Sequence, residues 1–483
     1  MFYDTVIQGA EILDRNDGKT YQVGIKDGRI AYIGQEPVQG SLVIDGRDHL
    51  LAPGLVNAHT HIAMTLFRSY ADDMLLMDWL QDKIWPMENH LTGNDVYWGS
   101  LLGIAEMIRT GTTAFADMYF FMEATARAVA SSGIRAALSR GLTGSSAADG
   151  KARLDENSAL FDTWNGVEND RIHVMYGPHA PYTCAPEYIC SIVKEAARKG
   201  AEIHMHLAET KGEVADCLKK YDKSPIALME ELGLFELGTL AAHCVHVDDK
   251  DMEILRKHHV RIASNPQSNL KLASGICPHR PNAPKKALSS VLETDGASSN
   301  NNLDMLEEVR LASMLSKVKE DNPRSVPAKT AIKCGTLEGA KAIGFDEVGA
   351  VTTGYKADLV LYDLKEPEWK RVFSSKVFEK KNDITPSKVF ERIYQGAVIE
   401  ALKYSPQYEE GMSDDEILAA HGILSYSQTL EWKGAVEYCM TDRNGTAIEK
   451  KIDTSLNYYG TVLNAQTLEH AVPSLRNSVE KSL

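Results

Sequence analysis

Two histidines separated by one residue close an apolar run, Leu50-Leu51-Ala52-Pro53-Gly54-Leu55-Val56-Asn57-Ala58-His59-Thr60-His61. On a β-strand that spacing puts both imidazoles on one face, roughly 7 Å apart along the strand. At that separation two ring nitrogens can share one cation at about 2.0–2.1 Å each. The ordinary alternative is a buried strand that carries two polar residues. Other strand ends decide between the two. His204-Met205-His206 repeats the spacing and is followed by Glu209, while Gly177-Pro178-His179, Ala242-His243 and Thr294-Asp295-Gly296 each end a β-rich run. A lone histidine in such a place is more often a hydrogen-bonded core residue, and an Asp before Gly is usually a turn residue. Five such positions in phase, with further carboxylates nearby, make a metal centre the better joint reading.

His204 and His206 point the same way, but only His206 has a glutamate three residues on. His206 is therefore the expected ligand and His204 a structural residue deeper in the fold. The ligand set is His59, His61, His206 and Asp295, with water in the remaining position. Three nitrogens and one oxygen suit one borderline divalent transition metal. Such an ion lowers the pKa of a bound water from 15.7 to roughly 7, giving hydroxide at neutral pH.

A scaffold has to deliver these groups to one place. Residues 5–13, 21–25 and 29–33 read as short strands, with Asp27-Gly28 as a two-residue hairpin turn. A further strand from Ser41 to Ile44 completes a small antiparallel sheet. From about residue 50 the rhythm becomes strand, loop, helix. Strands are predicted at 51–57, Thr113–Met118, Arg135–Gly141, Ile172–Tyr176, Glu202–Leu207, Thr239–His243, Val260–Ser264 and Ser290–Thr294. Helices are predicted at Val96–Arg109, Glu123–Ser131, Pro186–Lys199, Pro225–Leu232 and Asp249–Lys257, and Gly111, Gly133 and Gly200 suit helix C-caps. Eight strands alternating with helices over ~250 residues is the repeat of an α/β fold, the (β/α)8 TIM-like barrel, whose functional groups gather at the C-terminal strand ends. No GxGxxG follows the first strand, which disfavours a doubly wound open sheet.

Two more helices are expected at Leu303–Lys317 and Pro327–Ile343. The strand pattern Ala357–Asp363 then joins the opening sheet in a small β-sandwich. The expected domains are 1–50 and 346–403 as the two parts of the sandwich, 51–345 as the barrel, and 404–483 as a tail of unassigned role. In the C-terminal part a strand is expected at Ala397–Leu402, a helix at Ser413–Ser425 and a hairpin at Val436–Ile452 around Asn444-Gly445.

Composition narrows the partners. The 483 residues carry a net charge of −15, which disfavours nucleic-acid and anionic-membrane surfaces. Seven scattered cysteines without a CxxC pair read as reduced thiols. No apolar run approaches ~18 residues, and no basic-plus-apolar leader precedes Met1. The expectation is a cytoplasmic homo-oligomer with a small-molecule substrate, binding neither nucleic acid nor membrane.

The combination PGLVNAHTH, HMHLAE, AHC and TDGASSNN resembles the amidohydrolase superfamily. Within it, Trp79-Leu80, Trp85-Pro86-Met87-Glu88, Ser139-Arg140, the run Gly177 to Cys184 and the run Asn265 to Gly275 are similar to the 5′-methylthioadenosine/S-adenosylhomocysteine deaminase group. Near relatives of that group hydrolyse triazines. The match covers roughly residues 5–363. Dinuclear relatives carry a lysine where this chain has Tyr176 to His179, so the resemblance implies a mononuclear site. It implies zinc (iron in some relatives) on His59, His61, His206 and Asp295, and His243 holding the attacking water. Glu209 would pass a proton to the ring nitrogen, and Asp295 would take the proton from water. Glu88, Arg140 and His179 would contact ribose and purine, with Trp79 as a pocket wall or as core. The implied reaction attacks purine C6 of an adenosine bearing a 5′-thioether, giving the inosyl product and ammonia. A guanine, pterin or triazine hydrolase and a non-catalytic metal-binding barrel are the alternatives. Two departures stand out: Glu293 in place of the usual glycine before Thr294, and a Pro-rich segment from Cys277 to Lys286 where a helix is usual.

Overall fold

The computed structural model describes residues 1–364 except 14, 16 and 279–288, together with the backbone of 371–373, 435–441 and 447–453. The opening segment forms strands β1 (Phe2–Ile12), β2 (Tyr21–Lys26), β3 (Arg29–Gly34) and β4 (Gln39–Asp45). Asp27 and Gly28 have φ of 50° and 74°, as a two-residue hairpin turn requires. β1, β2 and β3 pair antiparallel, but β4 runs parallel to β1. The sheet is therefore mixed and not antiparallel. Side-chain alternation has the same period in either direction, so the sequence pattern is blind to this difference.

The predicted strand 51–57 is two strands, β5 (His49–Pro53) and β6 (Leu55–Thr60), with Gly54 between them. A Cβ on Gly54 would lie 2.0 Å from Thr113 Oγ1, so the junction needs a residue without a side chain. β6 pairs in parallel with β7 (Thr112–Tyr119), β7 with β8 (Arg135–Leu142), and β8 with the short β9 (Ile172–Val174) and β10 (Gly177–Pro178). β11 (Ile203–Leu207), β12 (Thr239–His243), β13 (Arg261–Ser264) and β14 (Ser289–Leu292) form a second parallel sheet.

The two parallel sheets touch at both edges. Tyr176 leaves β8: its N–H donates to Glu202 O and its carbonyl accepts from His204 N, both at 2.9 Å. That change of partner splits the predicted strand Ile172–Tyr176. At the other edge Asp295 N donates to His59 O at 3.2 Å, and the Asn57 amide binds the hydroxyl and N–H of Thr294. One apolar cluster draws Ala58, Ala114 and Ala137 from the first sheet and Leu240, Ala263 and Val291 from the second.

Helices Pro186–Lys199 and Asp249–Lys257 stand where predicted, and Gly93–Arg109 and Met122–Ser132 extend their predicted spans slightly. Pro327–Ile343 is two helices, Ala328–Cys334 and Leu337–Ala342. The two longest described helices without a sequence prediction are Ala147–Trp164 and Lys211–Tyr221; each is capped by a side chain, Ser146 or Thr210, that accepts an amide N–H from the first turn.

β15 (Leu359–Asp363) returns to pair antiparallel with β5, and β16 (Arg371–Phe373) adds to it. The result is a seven-stranded mixed sheet with β1 paired to β2, β4 and β5. Its core includes Ile7, Val23, Ile25, Ile30, Leu51 and Leu359. The predicted C-terminal hairpin is present as β17 (Ala435–Thr441) and β18 (Ala447–Asp453). The expectations at 279–286, Ala397–Leu402, Ser413–Ser425 and Asn444-Gly445 lie outside the described residues. Among the described residues no helix is long and apolar enough to cross a membrane, and six cysteines are free thiols.

Candidate metal centre

The four expected ligands meet. The register of β6 against β7 slips between Asn57 and Thr60, and such a bulge re-aims a strand end. His61 Nδ1 donates to the Met118 carbonyl at 2.5 Å, and His206 Nδ1 to the His179 carbonyl at 2.7 Å. A carbonyl only accepts, so the protons sit on Nδ1 and both Nε2 atoms present lone pairs. His59 Nδ1 lies 2.7 Å from His204 Nε2, and His204 Nδ1 lies 3.4 Å from Ser139 Oγ, which donates to the Asp117 carbonyl at 3.0 Å. Because that last carbonyl accepts, the chain runs in one direction: His59 donates to His204, and His204 to Ser139. His59 Nε2 is then a lone pair as well. His204, expected to be structural, sets the tautomer of His59, an expected ligand.

Three lone pairs and a carboxylate oxygen face one another. His206 Nε2 is 3.2 Å from His59 Nε2 and 3.3 Å from His61 Nε2. Asp295 Oδ1 is 3.6 Å from His59 Nε2 and 3.4 Å from His61 Nε2. Four acceptors this close, with no proton among them, repel unless a cation lies between. Donors that share one ion at ~2.0–2.1 Å each lie no more than about 4 Å apart, as the four pairs above do, whether or not a water completes the set. The donor set fits one metal ion.

Electrostatics separates the two carboxyls of the site. Burial would raise Asp295, but the positive charge that His59, His61 and His243 carry when protonated, which a bound cation replaces when they are neutral, holds the carboxyl well below the usual range. Asp295 Oδ2 accepts from Ser268 Oγ at 2.7 Å and Asn265 Nδ2 at 3.3 Å. Glu209 goes the other way: burial, then the Asp295 charge, push it well above the usual range. Its Oε2 lies 3.7 Å from His243 Nε2, and His243 Nδ1 sits 3.0 Å from Asn265 Nδ2 and 3.3 Å from Asn269 Oδ1. One carboxyl pushed down and another pushed up is the kind of environment that separates acid from base. Burial also lowers the His59 imidazole to about 4, which keeps its lone pair available.

The outer residues are placed less uniformly. Leu76–Glu88 is one helical stretch with a π-turn at Leu80–Ile84 ahead of Pro86. Proline has no N–H to continue the α-ladder, and the wider turn carries the chain past it to Glu88. Burial raises Glu88 to about 7, opposed by the Tyr119 hydroxyl. His179 packs its ring 4.7 Å from that of His206, and burial plus the neighbouring imidazoles lower it to about 3. Arg140 is engaged elsewhere: Nε meets Glu156 Oε2 at 2.7 Å, Nη1 donates to Gly141 O, and the guanidinium lies over Phe120. Trp79 is 5 % exposed in the core, with its indole N–H on Ala71 O. Glu293 is fully buried with a carboxyl oxygen 4.0 Å from His59 Nδ1.

Several residues of the site carry no role in the sequence reading. Asn265 and Ser268 hold Asp295, Asp117 Oδ1 accepts Ile62 N–H just after His61, and Glu213 packs under Glu209. Only Glu213 has a local signal, the Thr210-x-x-Glu213 capping pattern.

Residues 50–392 match the model of the amidohydrolase family. The 5-methylthioadenosine/S-adenosylhomocysteine deaminase of Carboxydothermus hydrogenoformans is 46% identical over 367 residues, 75% of this chain and 84% of that protein. The 5′-deoxyadenosine deaminase of Methanosarcina acetivorans is 45% identical over 370 residues, 75% and 85% of the two chains. An adenosine deaminase from Xanthomonas campestris, solved with bound zinc, superposes with a TM-score of 0.71 at 30% identity, covering 80% of this chain and 89% of that one. The matched span takes in every expected ligand from His59 to Asp295, and the chain belongs to the amidohydrolase family.

Proposed function

We propose that the chain is a metal-dependent hydrolytic deaminase of adenine nucleosides bearing a 5′-thioether, 5′-methylthioadenosine and S-adenosylhomocysteine foremost. The observation that carries this reading is the meeting of His59, His61, His206 and Asp295 beside the buried carboxyl of Glu209, 3.7 Å from His243. The Carboxydothermus relative is named for these substrates. The name of the Methanosarcina relative favours a second reading, 5′-deoxyadenosine, within the same chemistry. In our reading the two parallel sheets are one closed (β/α)8 barrel with the centre at its mouth, and the mixed sheet is the larger part of a β-sandwich. The hydrogen bonds at both edges and the shared apolar cluster support closure.

The ion, zinc in the first instance, supplies the Lewis acidity that makes water nucleophilic at neutral pH. His59, His61 and His206 would hold it through lone pairs, and Asp295 through its carboxylate. Glu209, kept protonated, donates to the ring nitrogen beside C6, so that negative charge does not build on the purine during attack. His243, its Nδ1 between Asn265 and Asn269, turns Nε2 toward Glu209 and orients the water. Asp295 accepts the proton that water loses and returns it to the departing ammonia. Glu88 accepts from the ribose hydroxyls and His179 borders the purine. Arg140, paired with Glu156, is the weaker ribose contact of the two.

Metal-loaded protein mixed with each nucleoside tests this directly. Absorbance should shift as adenine becomes hypoxanthine, and elemental analysis should find about one transition-metal equivalent per chain. Turnover only of guanine, a pterin or a triazine would move the substrate. A metal-free protein inert toward all of them would leave a non-catalytic barrel.

A further inference from the structure

Glu213 takes no part in the chemistry above, yet it is 8 % exposed and lies against the loop that carries Glu209. Its Oε1 accepts the N–H of Ala208 and its Oε2 the N–H of Glu209, each at 2.8 Å. Its own amide donates to Thr210 Oγ1, the cap of helix Lys211–Tyr221. In a capping box the glutamate reaches back to the amide of the cap residue. Here it reaches past Thr210 to the two residues before it. The other side of the same turn is held as well. Ala208 O accepts from His246 N, and Leu207 O from Cys244 N, both at 2.9 Å. Ala208 has φ of 51°, a conformation alanine keeps only when its surroundings impose it.

We propose that Glu213 is a positioning residue for Glu209. By bridging two consecutive amides it holds the left-handed turn at Ala208, and with it the reach of the Glu209 carboxyl toward the substrate ring. The inference rests on the proton-donor role of Glu209 proposed above. A neutral amide at 213 would set an NH2 group against one of the two backbone N–H donors and break one arm of the bridge.

The test is a double-mutant cycle on metal-loaded protein: wild type, Glu213→Gln, Glu209→Gln and the double variant, each with its metal content measured. Glu213→Gln should lower kcat by ~10–100-fold with KM within about threefold and the metal retained. In the Glu209→Gln background the same change should cost less than ~2-fold, because the group it positions is already disabled. An equal loss in both backgrounds overturns the proposal and makes Glu213 a fold element. A Glu209→Gln variant at full rate would instead sink the proton-donor reading, whatever Glu213 does. Thr210→Ala removes the helix cap and leaves the bridge; kcat within ~2-fold is expected, and a loss matching that of Glu213→Gln would assign the effect to the cap. If Glu213→Gln does not fold, Ala208→Gly carries the test. Freeing the turn should lower kcat with the melting temperature kept or raised, and an unchanged kcat overturns the proposal.

Discussion

The seven-stranded sheet and the C-terminal strand ends bend the chain by different means. In the sheet the left-handed positions include Asp27, Gly28 and Asp48, residue types that enter that region at little cost. Among its described strands Thr5 is the only buried polar residue. At the strand ends the left-handed positions include Ala208, His243, Cys244 and Asp295, and the buried side chains include His59, His206, Glu209 and Asp295. Ala208 and Cys244, types that rarely enter that region, each cost on the order of 1–3 kcal/mol there and persist only under tertiary constraint. Glu213, Ser268, Asn265 and the carbonyl partners of the imidazoles supply that constraint. Local preference is obeyed where the chain only has to fold and overridden where groups have to be aimed.

The largest effect should come from the strand ends. Glu209→Gln should keep its metal and lose at least ~10² in kcat; a variant at full rate would remove the strained loop from the chemistry. Next is the pH response of Glu88. Its carboxyl, raised to about 7, is protonated below that pH and a full acceptor above it. KM for the nucleoside should therefore fall as pH rises through about 7, and a KM flat from pH 6 to 8 (values bracketing that carboxyl) would take Glu88 out of hydroxyl recognition. Two backbone substitutions then set the regions against each other. Ala208→Gly should stabilise the protein by about 1 kcal/mol in denaturant unfolding while kcat falls. Gly28→Ala meets no atom within 4 Å and changes backbone conformation alone, so it should destabilise by about 1 kcal/mol with kcat unchanged. Stability shifts of the same sign would erase the contrast.

The four residues that meet at the centre were legible because their signal is short-ranged: imidazoles two apart on an apolar strand, and a carboxylate just past another. The helices Pro186–Lys199 and Asp249–Lys257 were legible for similar reasons, a proline at the first turn of one and an Asp cap on the other. Helix Ala147–Trp164 was not, because its buried positions are Gly150, Asn157 and Leu160 and make no apolar stripe. Asn157 docks it with its amide instead, accepting from Arg140 N and donating to Met175 O. Glu156, on that helix, is the partner of Arg140, so the engagement of Arg140 was hidden with it. The break at Gly54 was hidden for another reason: β5 and β6 are one apolar run, although they belong to different sheets.

That junction has a consequence measured in seconds. β5 pairs along its length with β15, which follows it by roughly 300 residues. A ribosome adding ~5–20 residues per second needs on the order of 15–60 s to make that stretch. Through that interval β5 has β1 on one side and an open edge on the other, and β6, which leads to His61, hangs from it by a single glycine. An unpaired apolar edge is a template for the wrong neighbour. The yield of active protein should therefore depend on how crowded the growing chain is while it waits for Leu359.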